Sequence, residues 1–120
     1  MKPTIETMKL RVAGLLPDRL HIRGENPCWR INEKTAGRAV VDTELLEVCR
    51  LAVEKLDRKQ RESYLKRLKI IVVRRTGKWG LADTDIVDAT AEERIDAIYH
   101  AIRTPEEILA DVAEYYPSNQ

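Results

Sequence analysis

Positive charge is concentrated in one place. The run RKQRESYLKRLKIIVVRRTGK at 58–78 holds Arg58, Lys59, Arg61, Lys66, Arg67, Lys69, Arg74, Arg75 and Lys78, with Glu62 as its only acid. Guanidinium and ammonium groups at this density bind anions. They can neutralise phosphates of a nucleic acid with salt-dependent affinity, or carboxylates of a protein partner. Trp79, directly after Lys78, would add a ring on which bases stack. The candidate binding set is therefore Arg67, Lys69, Arg74, Arg75, Lys78 and Trp79.

The rest of the chain opposes that charge. Residues 79–120 carry ten acids and two bases, and 1–57 carry ten bases and nine acids, so the whole chain has a net charge of +1 and a pI near 7.8. Dedicated nucleic-acid domains usually have a pI above about 9. The acids from Glu92 to Glu114 offer an alternative in which they neutralise the basic run within the fold. Pairing of the two regions between copies is another alternative, giving a homo-oligomer that loosens with salt.

Other chemistry-bearing residues carry less. Asp83, Asp85 and Asp88 supply oxygens at D-x-D-x-x-D, a set suited to Mg²⁺ or Ca²⁺ and hence to a metal-dependent hydrolase. The spacing lacks the glycine and terminal Glu of a calcium loop, and a polar turn before the helix capped at Thr90 is the preferred explanation. Thr76-Gly77-Lys78 lacks the first glycine and the final hydroxyl of a phosphate loop. His100 follows Asp96 by four residues, the spacing of a helical pair, and His21 alternates outward from Leu20 and Ile22. No nucleophile elbow and no zinc spacing occur. The sequence predicts no catalytic residue, metal site or cofactor.

Length and composition bound the scaffold. A chain of 120 residues fits one domain, 1–120, able to fold without disulfide or metal. Phe is absent, so Leu, Ile, Val and Ala build most of the core. Trp29, Trp79, Tyr99, Tyr115 and Tyr116 are among the large rings; the last two could fill a core or anchor a partner. Cys28 and Cys49 lie far apart, Cys49 reading as a small core hydrophobe, and such usage suits a reducing cytoplasm. The first residues lack a signal-peptide pattern, and no apolar run approaches a membrane span. The expectation is a cytoplasmic protein without membrane contact.

Periodicity then places the elements. Ile5, Met8, Val12, Leu15 and Leu16 predict a helix over 4–16, capped by Thr4. Leu20/Ile22 and Trp29/Ile31 alternate on either side of a turn at 24–27, and a second turn at 34–37 leads into 38–41. This is the pattern of a small antiparallel meander presenting Leu20, Ile22, Trp29 and Ile31 to a helix. Asp42 or Thr43 caps a helix with the row Leu45, Cys49, Ala52 and Leu56. Asp57 and Gln60 form a capping box for a helix from Arg58. At 70–73, four successive β-branched residues favour a buried strand turning at Thr76-Gly77 into a hairpin with 78–81. Helical spacing of Leu65, Leu68, Ile71 and Val72, with Gly77 as a stop, is the competing solution. Thr90 and Glu93 box a helix with the buried row Ala91, Ile95, Ile98 and Ile102. Thr104-Pro105 opens another that carries Ile108, Leu109, Val112, Ala113 and Tyr116 and stops at Pro117. The expected fold is α+β, with a sheet of three to four short strands packed against four to five helices.

With DTELLEVCRLAVEKL at 42–56 and ATAEERIDAIYHAI at 89–102, the chain resembles small prophage-type bacterial proteins of unknown function. The resemblance covers two helix starts and implies no activity and no site residues. It points to an accessory protein that acts by binding. The expected function is thus non-catalytic: docking of a macromolecule, protein before nucleic acid, through a charge-segregated surface.

Overall fold

The computed structural model describes residues 4–32, 34–77, 89–104 and 106–109. Its first helix, α1 (Ile5–Ala13), begins where Thr4 Oγ1 accepts a hydrogen bond from the Thr7 amide, satisfying one of the donors that a helix start leaves open. Met8, Val12 and Ala13 form its buried side, and Leu16 follows them into the core.

Three strands follow as an antiparallel meander in the order β1-β2-β3: β1 (Leu20–Arg23), β2 (Asn26–Arg30) and β3 (Ala36–Ala39). Gly24 takes φ +64° at the first turn, as a two-residue hairpin requires. The turn is thus shorter than 24–27: Asn26 already pairs with Arg23, and Pro27 lies within β2. Leu20 and Trp29 pair across the strands; Leu20 is buried, and Trp29 packs against the core's margin. Ile22 and Ile31 depart from the expected apolar face, being 41% and 71% exposed. Ile31 lies beyond the strand because Asn32 Oδ1 accepts the amides of Lys34 and Thr35, forming a turn immediately after Arg30.

A 3₁₀ turn (Asp42–Glu44) leads into α2 (Leu45–Glu54), which buries Leu45, Val48, Cys49, Leu51 and Ala52. The chain bends at Leu56, and the Asp57–Gln60 box opens α3 (Arg58–Thr76): Asp57 Oδ1 accepts from the Gln60 amide at 2.8 Å and Gln60 Oε1 from the Asp57 amide at 2.9 Å.

α3 runs unbroken through 70–73, which corrects the expected strand. In the helix only part of the β-branched run is hidden: Val72 is buried and Ile71 packs at the core's edge, while Ile70 is 46% exposed. A buried strand would have to hide the whole run, whereas the helix continues the line of Tyr64, Leu68 and Val72 against its neighbour. The β-branched residues cost a helix only tenths of a kcal/mol each, less than the roughly 2 kcal/mol gained by burying one aliphatic side chain. Gly77 stops the helix with φ +72°, its amide donating to the Val73 carbonyl at 2.7 Å.

The next helix, α4 (Ala91–Ile102), is the centre of the packing among the described residues, contacting α3, α1 and α2. Ile95, Ala97 and Ile98 are fully buried on it. Its start is the Thr90–Glu93 box, with Glu93 Oε1 accepting from the Thr90 amide and Thr90 Oγ1 from the Glu93 amide. A helical turn at 106–109 is capped by Thr104 and tied to α1 by the Arg11–Glu107 ion pair at 2.9 Å. The architecture is α+β, with a three-stranded sheet and helices around one core among the described residues. Among the described residues, no helix is long and apolar enough to cross a membrane. The hairpin expected over 78–81, the loop expected at Asp83, Asp85 and Asp88, and the remainder of the helix expected from 104 to 116 lie outside the described residues.

Candidate interaction surface on the third helix

Because 58–76 is one helix, its cations are distributed around a cylinder at about 100° per residue. Leu68 marks the side facing the core and Ile70 lies almost opposite. Arg61, Arg67 and Arg75 fall on or near the packed side, and each is engaged. Arg61 donates to the carbonyls of Val53 and Glu54, capping the end of α2. Arg67 reaches Asp96 at 3.3 Å, and Arg75 reaches Glu93 at 2.8 Å. Arg67 and Arg75 thereby fasten α3 to α4.

Lys59, Lys66 and Arg74 point the other way. All three are exposed, and none makes an ion pair among the described residues. Ile70 lies between them, and Ser63 is exposed on the same face. Arg58 and Glu62, at the start of the helix, are 3.6 Å apart and exposed. Lys69 is half-buried at the margin and engaged in an interaction of its own. Of the six residues expected to form a binding set, Arg74 therefore stands on the open face, Arg67 and Arg75 serve the α3–α4 contact, and Lys69 lies at the margin. Lys78 and Trp79 lie outside the described residues. Lys59, Lys66 and Ile70 were absent from the expected set. Their signal was the 59, 66, 70, 74 spacing, visible only if the helical phase is carried through 70–73.

The acids of α4 are drawn into the fold. Burial raises the Asp96 carboxyl's affinity for protons, but the His100 hydrogen bond and charge, with Arg67 beside them, outweigh it and hold the pKa below its usual value. His100 Nδ1 lies 2.9 Å from Asp96 Oδ1 and 2.8 Å from the Asp96 carbonyl oxygen, so the imidazole is occupied along its own helix. Glu93 has the same balance: burial pulls its pKa up, while Arg75 and the Thr90 cap bring it down further. These groups form a clasp between helices and present no open catalytic pair.

Elsewhere among the described residues, polar side chains also pair within the fold. Arg38 donates from its two terminal nitrogens, Nη1 and Nη2, to the two Glu44 carboxylate oxygens at 2.6 Å. That pairing, with the nearby Trp29 indole and the Val41 amide, brings the Glu44 pKa down to about 2. Trp29 Nε1 has no acceptor at hydrogen-bonding geometry, so the two-point Arg38 pairing is the main cause. Burial pushes the Cys49 thiol up to about 12, the state of an inert core cysteine. An apolar cleft of about 490 Å³ opens between α2 and α3, with Leu46, Val53, Tyr64 and Leu65 in its lining. Its rim residue Arg50 is paired with Glu47 and Glu54, so its guanidinium is engaged along its own helix. Among the described residues, no three His, Cys, Asp or Glu side chains come together as a metal site. Asp83, Asp85 and Asp88 lie outside the described residues.

Comparison with protein-family models, curated proteins and solved structures found no match. The outward face of α3 is therefore judged on its own chemistry.

Proposed function

We propose that this chain is a non-catalytic interaction protein that docks a macromolecule on the outward face of α3. One observation carries the reading: Lys59, Lys66 and Arg74 stand exposed around the half-exposed Ile70, while the inward arginines are occupied by the fold. Exposed cations without an ion pair among the described residues, set around an apolar side chain, suit a protein partner that presents carboxylates and a hydrophobic residue. Cytoplasm is the compartment that suits the two free thiols.

Nucleic acid is the second reading, supported by the same cations. It is less well matched, because Lys59, Lys66 and Arg74 rise about 10 to 12 Å from one to the next along the helix, and a phosphate backbone offers nothing apolar to cover Ile70. Self-association through opposite charges is also less favoured, since Glu93, Asp96 and Glu107 already bind Arg75, Arg67 and Arg11 of the same chain.

A photo-crosslinking side chain at Ser63 tests the proposal in cells of the source organism. A discrete adduct that survives nuclease and is lost on protease treatment is expected. A nuclease-sensitive adduct transfers the face to nucleic acid, and absence of any adduct above a Gly14 control removes the docking face altogether.

A further inference from the structure

The outward face of α3 has a finer order than its charge. Lys59, Ser63, Lys66, Ile70 and Val73 follow one another at intervals of four, three, four and three residues. Alternation of three and four is the repeat that keeps one stripe of a helix turned toward a second helix. The residues along this stripe are exposed apart from Val73, which is half-buried, and the apolar pair Ile70 and Val73 occupies its second half. Arg74 flanks that apolar half, and Lys59 and Lys66 make the first half cationic. The stripe spans most of the 19-residue helix, a length of about 21 Å at 1.5 Å per residue.

Resting on the docking-face reading above, we infer that this stripe receives an acidic amphipathic helix of a partner protein. Charge complementarity sets the sign: Lys59, Lys66 and Arg74 recur at steps of seven and eight residues, and a partner helix bearing carboxylates one heptad apart meets them at the same rise. Its apolar residues between those acids cover Ile70 and Val73, as in helix-in-groove recognition. An extended peptide does not match this spacing, since a strand advances about 3.4 Å per residue and turns alternate side chains away. A membrane surface would call for a broad apolar face on α3, and the stripe offers only Ile70 and Val73.

Synthetic peptides of about three heptads test this. One carries Leu at the seam and Glu on the flanks; the other has the same composition scrambled to abolish the three-four repeat. A single-stranded oligonucleotide is the third probe. Binding is followed by fluorescence anisotropy, with amide shift mapping on the full chain. The patterned peptide should bind about tenfold more tightly than the scrambled one, with shifts along 59–77. Replacing half-exposed Ile70 by Ser should weaken it about fivefold, and Lys66→Glu should weaken it at least as much; both variants must keep the native amide spectrum elsewhere. Equal binding of the two peptides on this face overturns the helical partner while leaving the docking face in place. Shifts elsewhere, no binding of the patterned peptide, or tighter binding of the oligonucleotide overturn the inference, and the first of these also counts against the docking face.

Discussion

The two sides of α3 use the same residue types for opposite ends. On the packed side, Arg61, Arg67 and Arg75 are held by α2 carbonyls and α4 carboxylates, so their charge is spent within the fold. On the other side, Lys59, Lys66 and Arg74 project from the same helix without an ion pair among the described residues. Arginine predominates where a planar fork must meet a carboxylate or a carbonyl, and lysine where a charge is left in water. A basic run is therefore not one surface. Its meaning depends on azimuth, and azimuth depends on whether 70–73 is helix or strand.

The contrast predicts a graded set of effects. The largest comes from the core line under the inward face. Leu68→Ala should lower stability by about 2–5 kcal/mol, whereas Ile70→Ala, two residues away, should stay within about 0.5 kcal/mol. Urea denaturation reads both, and equal losses would contradict the azimuths assigned here. A smaller difference separates the cations. Arg67→Ala should cost about 1 kcal/mol, because it breaks a partly exposed pair with Asp96. Lys66→Ala should be near neutral in the same experiment.

The smallest effect is on pH dependence. The folded Asp96 pKa lies below its unfolded value. Its contribution to stability is therefore fully present above the unfolded carboxylate value of about 3.9 and lost as pH falls through the lowered folded one. Asp96→Asn should flatten the acid limb of the stability curve, while Lys59→Ala should leave that limb unchanged. Glu44 behaves in the same way, since its pKa is brought from 4.5 to about 2, and Glu44→Gln should remove the slope across that window.

What could be read from the residues alone was local. Asp57 with Gln60 and Thr90 with Glu93 announce helix starts because a capping box closes over three residues, and both form as expected. The buried rows of α2 and α4 follow from 3.6-residue spacing. The strand expected at 70–73 failed because β-branched residues in a half-buried helix look like a buried strand until the packing partner is known. That partner is α4, which begins only at Ala91. The division of the basic run was hidden for the same reason, since Arg75–Glu93 and Arg67–Asp96 join residues 18 and 29 positions apart. The possibility that acids neutralise the stretch within the fold was legible. Which cations they would take was not, because side-chain azimuth on α3 depends on that unread helical phase.

The most direct test of a structural inside and a docking outside is one variant, K59E/K66E/R74E, compared with the wild type in the Ser63 crosslinking experiment. The account predicts that the adduct disappears while the urea midpoint of the purified protein is essentially unchanged. An adduct that persists undiminished after the three reversals would contradict it.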